Sequence, residues 1–287
     1  MSRKSLLGLA LAVTAASIQL GGCGKIPEQT PMPARTMAPA DQRVAQDPGN
    51  DLRRVHREML AALNLTEAQR SQIREIKARH KAEMRRMGDL RTQLEQLRTL
   101  VLAPTVDRAA LTQALTAMHQ SKLNKIPHVA AMMSDVRGVL TPEQRTIAVT
   151  QINNRWNDLM AALDSMRTEG FTQLSANLNL TTAQSQALQT LQDQDRTLDD
   201  AIMADLRTAV TQFMADGNQQ TLTSSLQSAL AMSRVTDMLG DTSDFVVSLN
   251  QTQRQQLVAN MASYLQKLKA MHQAMEGDMG GTGSDSD

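Results

Sequence analysis

Thiols are nearly missing from this sequence: Cys23 is the one cysteine in 287 residues. Without a second thiol the chain has no internal disulfide and no thiolate metal cluster, so it must fold by burial alone, for which its length is ample. Aromatic residues number five, one Trp, one Tyr and three Phe. That scarcity removes the stacking platforms that hold single-stranded nucleic acid, and it leaves little to argue for strands. Also missing are a Gly-rich phosphate loop, a nucleophile motif and a recurring acid–base constellation, so an enzyme has the least support. Asp193, Asp195, Asp199 and Asp200 cluster but read as one solvated helix face. His56, His80, His119, His128 and His272 read as unpaired surface or half-buried side chains, and neither a metal nor another cofactor is expected.

What is present divides by position. Residues 1–22 have a basic start at Arg3 and Lys4 and an apolar run too short and wrongly flanked for a membrane span, the pattern of a secretory signal. Leu20-Gly21-Gly22-Cys23 resembles the lipobox of bacterial lipoproteins, which implies lipidation at Cys23. Gly24 stands where aspartate retains many lipoproteins at the inner membrane. The expected location is therefore the periplasm, at the inner leaflet of the outer membrane. Residues 23–50 hold five of the eight prolines and read as a lipidated linker. Residues 277–287, rich in Gly and Asp, read as a disordered acidic tail.

Between these ends Ala, Leu, Gln, Arg and Met dominate, all good helix formers. Apolar residues from Ile73 to Leu97 recur at intervals of three and four, predicting one amphipathic helix of roughly nine turns from Thr66 to about Ala103-Pro104. A second helix is expected from near Asp107 to about Arg137, bent or broken by Pro127 and closed by Gly138, and a third after Thr141.

The pattern is written twice. "LNLTEAQ" at 63–69 returns as "LNLTTAQ" at 178–184, and "LTPEQ" at 140–144 returns more loosely as "LNQTQ" at 249–253. The offsets, 115 and 109, with other matches in order between them, indicate tandem repeats at 51–168 and 169–276. Charge divides the copies: residues 51–160 carry 18 Lys+Arg against 11 Asp+Glu, and residues 161–287 carry 7 against 15. Opposite signs favour docking of one repeat on the other within the chain.

Physically, the repeated phrase starts helices. Thr66 with Gln69, Thr141 with Gln144 and Thr181 with Gln184 have capping-box spacing, and Asn250 with Gln253 keeps it. Leu65, Leu140, Leu180 and Leu249 precede the caps and are expected to bury against neighbouring helices. These L-T-x-x-Q motifs on an exported, all-helical chain resemble the Spy/CpxP family of periplasmic chaperones, in which two subunits form a thin, curved cradle. The resemblance implies an all-α fold in which two tandem helical-hairpin repeats form an intramolecular, pseudo-dimeric curved bundle. It leaves open whether two chains associate further.

The functional expectation is an ATP-independent holdase, tethered by its N-terminal lipid, whose partners are unfolded or misfolded envelope proteins rather than nucleic acid. The stretch around "KAEMRRM" offers methionines amid positive charge, and Met adapts to irregular partners. The expected client contacts are Arg70, Arg74, Lys77, Lys81, Met84, Arg85, Arg86 and Met87. The alternatives are a structural or regulatory lipoprotein with one envelope partner, and, less favoured, a metal-resistance or metal-sensing protein.

Overall fold

The computed structural model describes residues 48–87 and 90–278. The leader, Cys23 and nearly all of the linker and tail lie outside the described residues, as do the side chains of Arg85, Arg86 and His272. The fold is all-α, and no strand occurs among the described residues. A leading set comprises α1 (Pro48–Ala62), α2 (Glu67–Arg86), α3 (Leu90–Leu102), α4 (Arg108–Leu123), α5 (Ile126–Val139) and α6 (Pro142–Asn154). A trailing set follows: α7 (Trp156–Ser175), α8 (Thr182–Asp216), α9 (Gln219–Ala229), a 3-10 turn (Met232–Arg234), α10 (Thr236–Ser248) and α11 (Gln251–Asp278).

Several boundaries are local chemistry. Asp107 caps α4 by accepting from the Ala110 N–H at 3.0 Å. Pro127 sits in the first turn of α5, where its missing N–H is no loss, and α4 has ended at Leu123. Gly138 lies inside the last turn, and it is Leu140, with extended backbone, that ends α5. Gly217, in the left-handed region at φ 75°, closes α8.

Other boundaries correct the sequence reading. The nine-turn helix is two, α2 and α3: at Met87 the ladder tightens, its N–H donating to Met84 O at 3.3 Å. The next residue in sequence is glycine, the weakest helix former after proline. The trailing counterpart α8 runs 35 residues unbroken. The third helix breaks at Arg155 (φ −97°, ψ 3°), and α7 runs through the repeat boundary read at 168/169. Helix α1 was not foreseen and begins inside the stretch read as linker, while α11 ends two residues into the stretch read as tail. Leu52, Val55 and Met59, spaced by three and four, are the buried stripe of α1.

Two apolar cores result, and both draw on both sets. One joins Ile73, Ile76, Met132 and Leu140 with Ile202, Leu206, Phe213 and Tyr264. The other joins Leu97, Val101, Leu111 and Met118 with Leu178, Phe245, Leu249 and Leu257. Helix α6 lies on α8, α5 on α9, α4 on α10, α3 on α11 and α1 on α7.

Two arginines stitch the sets together by capping each other's helix ends. Arg254 of α11 is 6% exposed and donates to Val101 O (2.9 Å), Ala103 O (3.0 Å) and Pro104 O (3.2 Å) at the end of α3. Arg137 of α5 donates to Met214 O and Ala215 O, both at 3.1 Å, at the end of α8, and lies over the Phe213 ring. These carbonyls have no intrahelical donor, and a planar guanidinium can serve several at once. The charge expectation is therefore modified. Arg108 and Asp244 do pair across the sets at an exposed position, the Nη2 contact being 2.8 Å. The buried polar links, however, run to backbone carbonyls, from Arg254, Arg137 and His119.

Candidate functional site

The repeated phrase builds one structure twice. Thr66 Oγ1 accepts from the Gln69 N–H at 3.2 Å while Gln69 Oε1 accepts from the Thr66 N–H at 3.0 Å, and Thr141 with Gln144 does the same. Thr181 with Gln184 repeats the box, and Asn250 with Gln253 closes it at 2.9 Å in both directions. The two glutamines of each set then face each other. Gln69 Nε2 donates to Gln144 Oε1 at 2.8 Å and Gln144 Nε2 returns a bond at 3.1 Å. Gln184 and Gln253 exchange the same pair at 3.3 and 3.0 Å.

Each amide has a second N–H. Those of Gln69 and Gln144 donate to Val139 O and Leu63 O, in the chain entering the partner's cap. Those of Gln184 and Gln253 donate to Ser248 O and Asn179 O likewise. Every donor and acceptor of the amide is used, so glutamine is required where glutamate could only accept. The asparagine of "LNLT" is explained too: Asn64 and Asn179 adopt φ 45° and 49°, where asparagine is among the few tolerated side chains. Leu140 and Leu249 are buried, while Leu65 and Leu180 are half-buried against the two cores.

Beside the leading clasp lies a partly open cleft of about 340 Å³ between α1, α2, α5 and α6. Its apolar wall includes Met59, Leu63, Ile73, Met133 and Ala148 together with the motif leucines Leu65 and Leu140. Its polar edge carries the cations Arg57, Arg70, Arg74 and Lys77, and among the described residues no Asp or Glu lines it. Arg74 also pairs with Glu67 at 2.9 Å, and Arg70 Nε donates to Leu65 O at 3.2 Å.

The structure thus brings together Arg70, Arg74 and Lys77 of the expected client contacts. It does not add the rest. Met84 is a correction: at 2% exposure it is core, packed where the α2 stripe faces inward. Lys81 lies half-buried one turn beyond the cleft, and Met87 is exposed at 37%. More generally, nine of the thirteen methionines with described side chains are buried, so most serve packing. Arg57 and Met59 went unrecognised because α1 did; the spacing of Leu52, Val55 and Met59 was the available signal.

The titratable clusters also need correction. Asp195 and Asp199 are buried, and Asp199 lies 3.7 Å from the equally buried Arg167, which holds Asp164 at 3.0 Å. His56, His80 and His119 are buried rather than superficial. His119 Nε2 meets Leu230 O at 2.8 Å, across the two sets. His80 and Glu83 stand at H-x-x-E spacing and approach to 3.5 Å, a pairing the sequence reading overlooked. His80 Nε2 lies 2.8 Å from Asp135 Oδ2, which Arg79 also reaches at 2.6 Å. The His80 contact, aided by Arg79, holds the Asp135 carboxyl below its ordinary value. Among the described residues no three His, Cys, Asp or Glu side chains are placed to share a metal ion.

No curated protein and no solved structure matches the chain. A family model does: that of the LTXXQ motif family protein matches residues 51–151. The matched stretch contains the leading clasp, from Leu65-Thr66-Glu67-Ala68-Gln69 to Leu140-Thr141-Pro142-Glu143-Gln144, and the cleft beside it, apart from Ile152 and Met214 on its wall. Residues 51–151, the leading set, are thus similar to the LTXXQ motif family, the family of Spy/CpxP-type proteins.

Proposed function

We propose that this protein is an ATP-independent chaperone of the holdase type, tethered in the periplasm by a lipid on Cys23, that binds unfolded or misfolded envelope proteins. The match of residues 51–151 to the LTXXQ family model supports a Spy/CpxP-like, chaperone-type role. The observation that carries the reading further is the cationic, apolar-walled cleft and the α2 face beside it. An unfolded chain presents apolar segments and carboxylates together. A surface offering apolar contact rimmed by Arg70, Arg74 and Lys77 holds such a chain without selecting one sequence. Release then follows from weak contacts and from folding of the client.

The test is aggregation of a chemically denatured enzyme followed by light scattering with purified protein added. Suppression that rises with molar ratio, and weakens as salt screens the rim, is the expected result. The triple variant Arg70→Ser, Arg74→Gln, Lys77→Gln is expected to suppress less. No suppression at any ratio contradicts the reading.

A further inference from the structure

The cleft has an internal counterpart. His56, Met59, Leu60 and Leu63 stand 115 positions before Phe171, Leu174, Ser175 and Leu178. Met133, Val136 and Ala148 stand 109 before Thr242, Phe245 and Leu257. The first group lines the cleft of about 340 Å³, and the second group lines a cavity of about 50 Å³ in the trailing set. The same helices thus enclose a hollow in one set and a nearly filled core in the other. Leu257 in place of Ala148 and Phe245 in place of Val136 enlarge two wall positions, while Ser175 in place of Leu60 and Thr242 in place of Met133 reduce two others.

The rim changes with the volume. Arg57, Arg70, Arg74 and Lys77 have Thr172, Ser185, Gln189 and Gln192 at the positions 115 residues on. Four cations at the open hollow correspond to four neutral side chains at the filled one. An unfilled apolar hollow weakens a fold in proportion to its volume, and the trailing set shows that this arrangement of helices can be filled. Retention of the hollow together with its cations points to an occupant that is apolar along its length and anionic at its end.

We propose that the cleft binds a free, single-chain fatty acid of about ten to fourteen carbons, with its acyl chain in the hollow and its carboxylate at Arg57, Arg70, Arg74 and Lys77. The size follows from volume: a cavity of about 150 Å³ holds one benzene, so one of about 340 Å³ takes roughly a dozen carbons. One apolar side chain of a protein client fills less than half of it. A client's backbone, with N–H and C=O groups to satisfy, stays at the rim and offers the hollow side chains alone, whereas an alkyl chain has no such groups and can fill it. The carboxylate joins or displaces Glu67 at Arg74 and meets the guanidinium groups through charge-assisted bonds. This site does not depend on the chaperone reading, because its ligand binds without any client present.

Calorimetric titration of the purified protein with laurate, kept below its micelle concentration, tests the proposal. Saturable binding at one laurate per chain is expected, and dodecyltrimethylammonium, of equal chain length but opposite charge, should bind at least about tenfold more weakly. Ala148→Leu, which installs the residue of the filled counterpart, should weaken laurate binding at least about tenfold. Replacing Arg57, Arg70, Arg74 and Lys77 by Thr, Ser, Gln and Gln should do the same. Should Ala148→Leu fail to fold by circular dichroism, the rim variant, altered only at exposed or half-buried positions, still decides. Absence of saturable binding, equal affinity for the cationic analogue, or unchanged affinity in the rim variant overturns the proposal.

Discussion

At the scale of single residues, the glutamines of the repeated phrase do two jobs with one amide. Each closes its own helix start and each clasps the other, so the loss on substitution exceeds that of an ordinary cap. Thr66→Ala should cost about 1 kcal/mol, the usual figure for a lost cap. Gln184→Glu, nearly the same shape, should cost about 1–3 kcal/mol in urea unfolding, because it loses both donors and sets a carboxylate against Gln253 Oε1 and Ser248 O. Part of that loss should return below about pH 4, where the carboxyl can take up a proton. Arg254→Lys should be destabilising despite the retained charge, since an ammonium cannot reach carbonyls at Val101, Ala103 and Pro104 together. Asp135 carries a pH signature of definite sign. Its folded pKa lies below the unfolded value, so its contribution is present above the ordinary carboxylate range and is lost as pH falls through the lowered value. Stability should therefore fall from about pH 4 downward, and Asp135→Asn should flatten that acid limb. The boxes were legible in the sequence because their partners are three residues apart. The clasp was not: its partners stand 75 and 69 residues apart, and no local spacing announces that two boxes meet.

At the scale of helices, the chain could be read where a single residue dictates the backbone. Asp107 and Pro127 act locally, and both were found where chemistry places them. The break at Arg155, flanked by asparagine and tryptophan, has no such residue. Helix α1 is hidden in the sequence because Pro48 continues the proline-rich run of the linker, although proline also favours a first turn. Burial of Asp195 and Asp199 escaped for a different reason. Helical periodicity shows which residues share a face, but Arg167, the buried cation beside Asp199, comes from another helix. Two element-scale substitutions should show how closely these helices meet. Gly170 is where α7 approaches α11, and a methyl there would lie 2.8 Å from the buried Tyr264 ring. Gly170→Ala should therefore cost about 1–3 kcal/mol by overpacking, reversing the gain of up to about 1 kcal/mol expected from helix propensity. Asn179→Val should destabilise and Asn179→Gly should not, because only the second tolerates φ 49°. Thermal unfolding by circular dichroism reads both.

At the scale of the whole molecule, the leading and trailing sets are interlocked rather than adjoined. Each core contains side chains from both, and each set supplies an arginine that caps a helix end of the other. The charge contrast between the two stretches of sequence invited an electrostatic explanation. The buried links instead are apolar surface and bonds from Arg254, Arg137 and His119 to backbone carbonyls, which salt screens little, so the melting temperature should change little between about 0.05 and about 0.5 M salt. Binding of a client at the exposed rim should fall over the same range, separating what holds the fold from what attracts a ligand. Matched positions of the two sets also bear on the proposed ligand, since Thr172, Ser185, Gln189 and Gln192 stand 115 residues after the four cations of the open cleft. Interlocking is the claim on which this picture rests, and differential scanning calorimetry tests it most directly. One transition is predicted, with calorimetric and van't Hoff enthalpies equal, on the order of 160 kcal/mol near 60 °C for the roughly 230 described residues. Two separable transitions, each with about half that enthalpy, would show two independent bodies and contradict it.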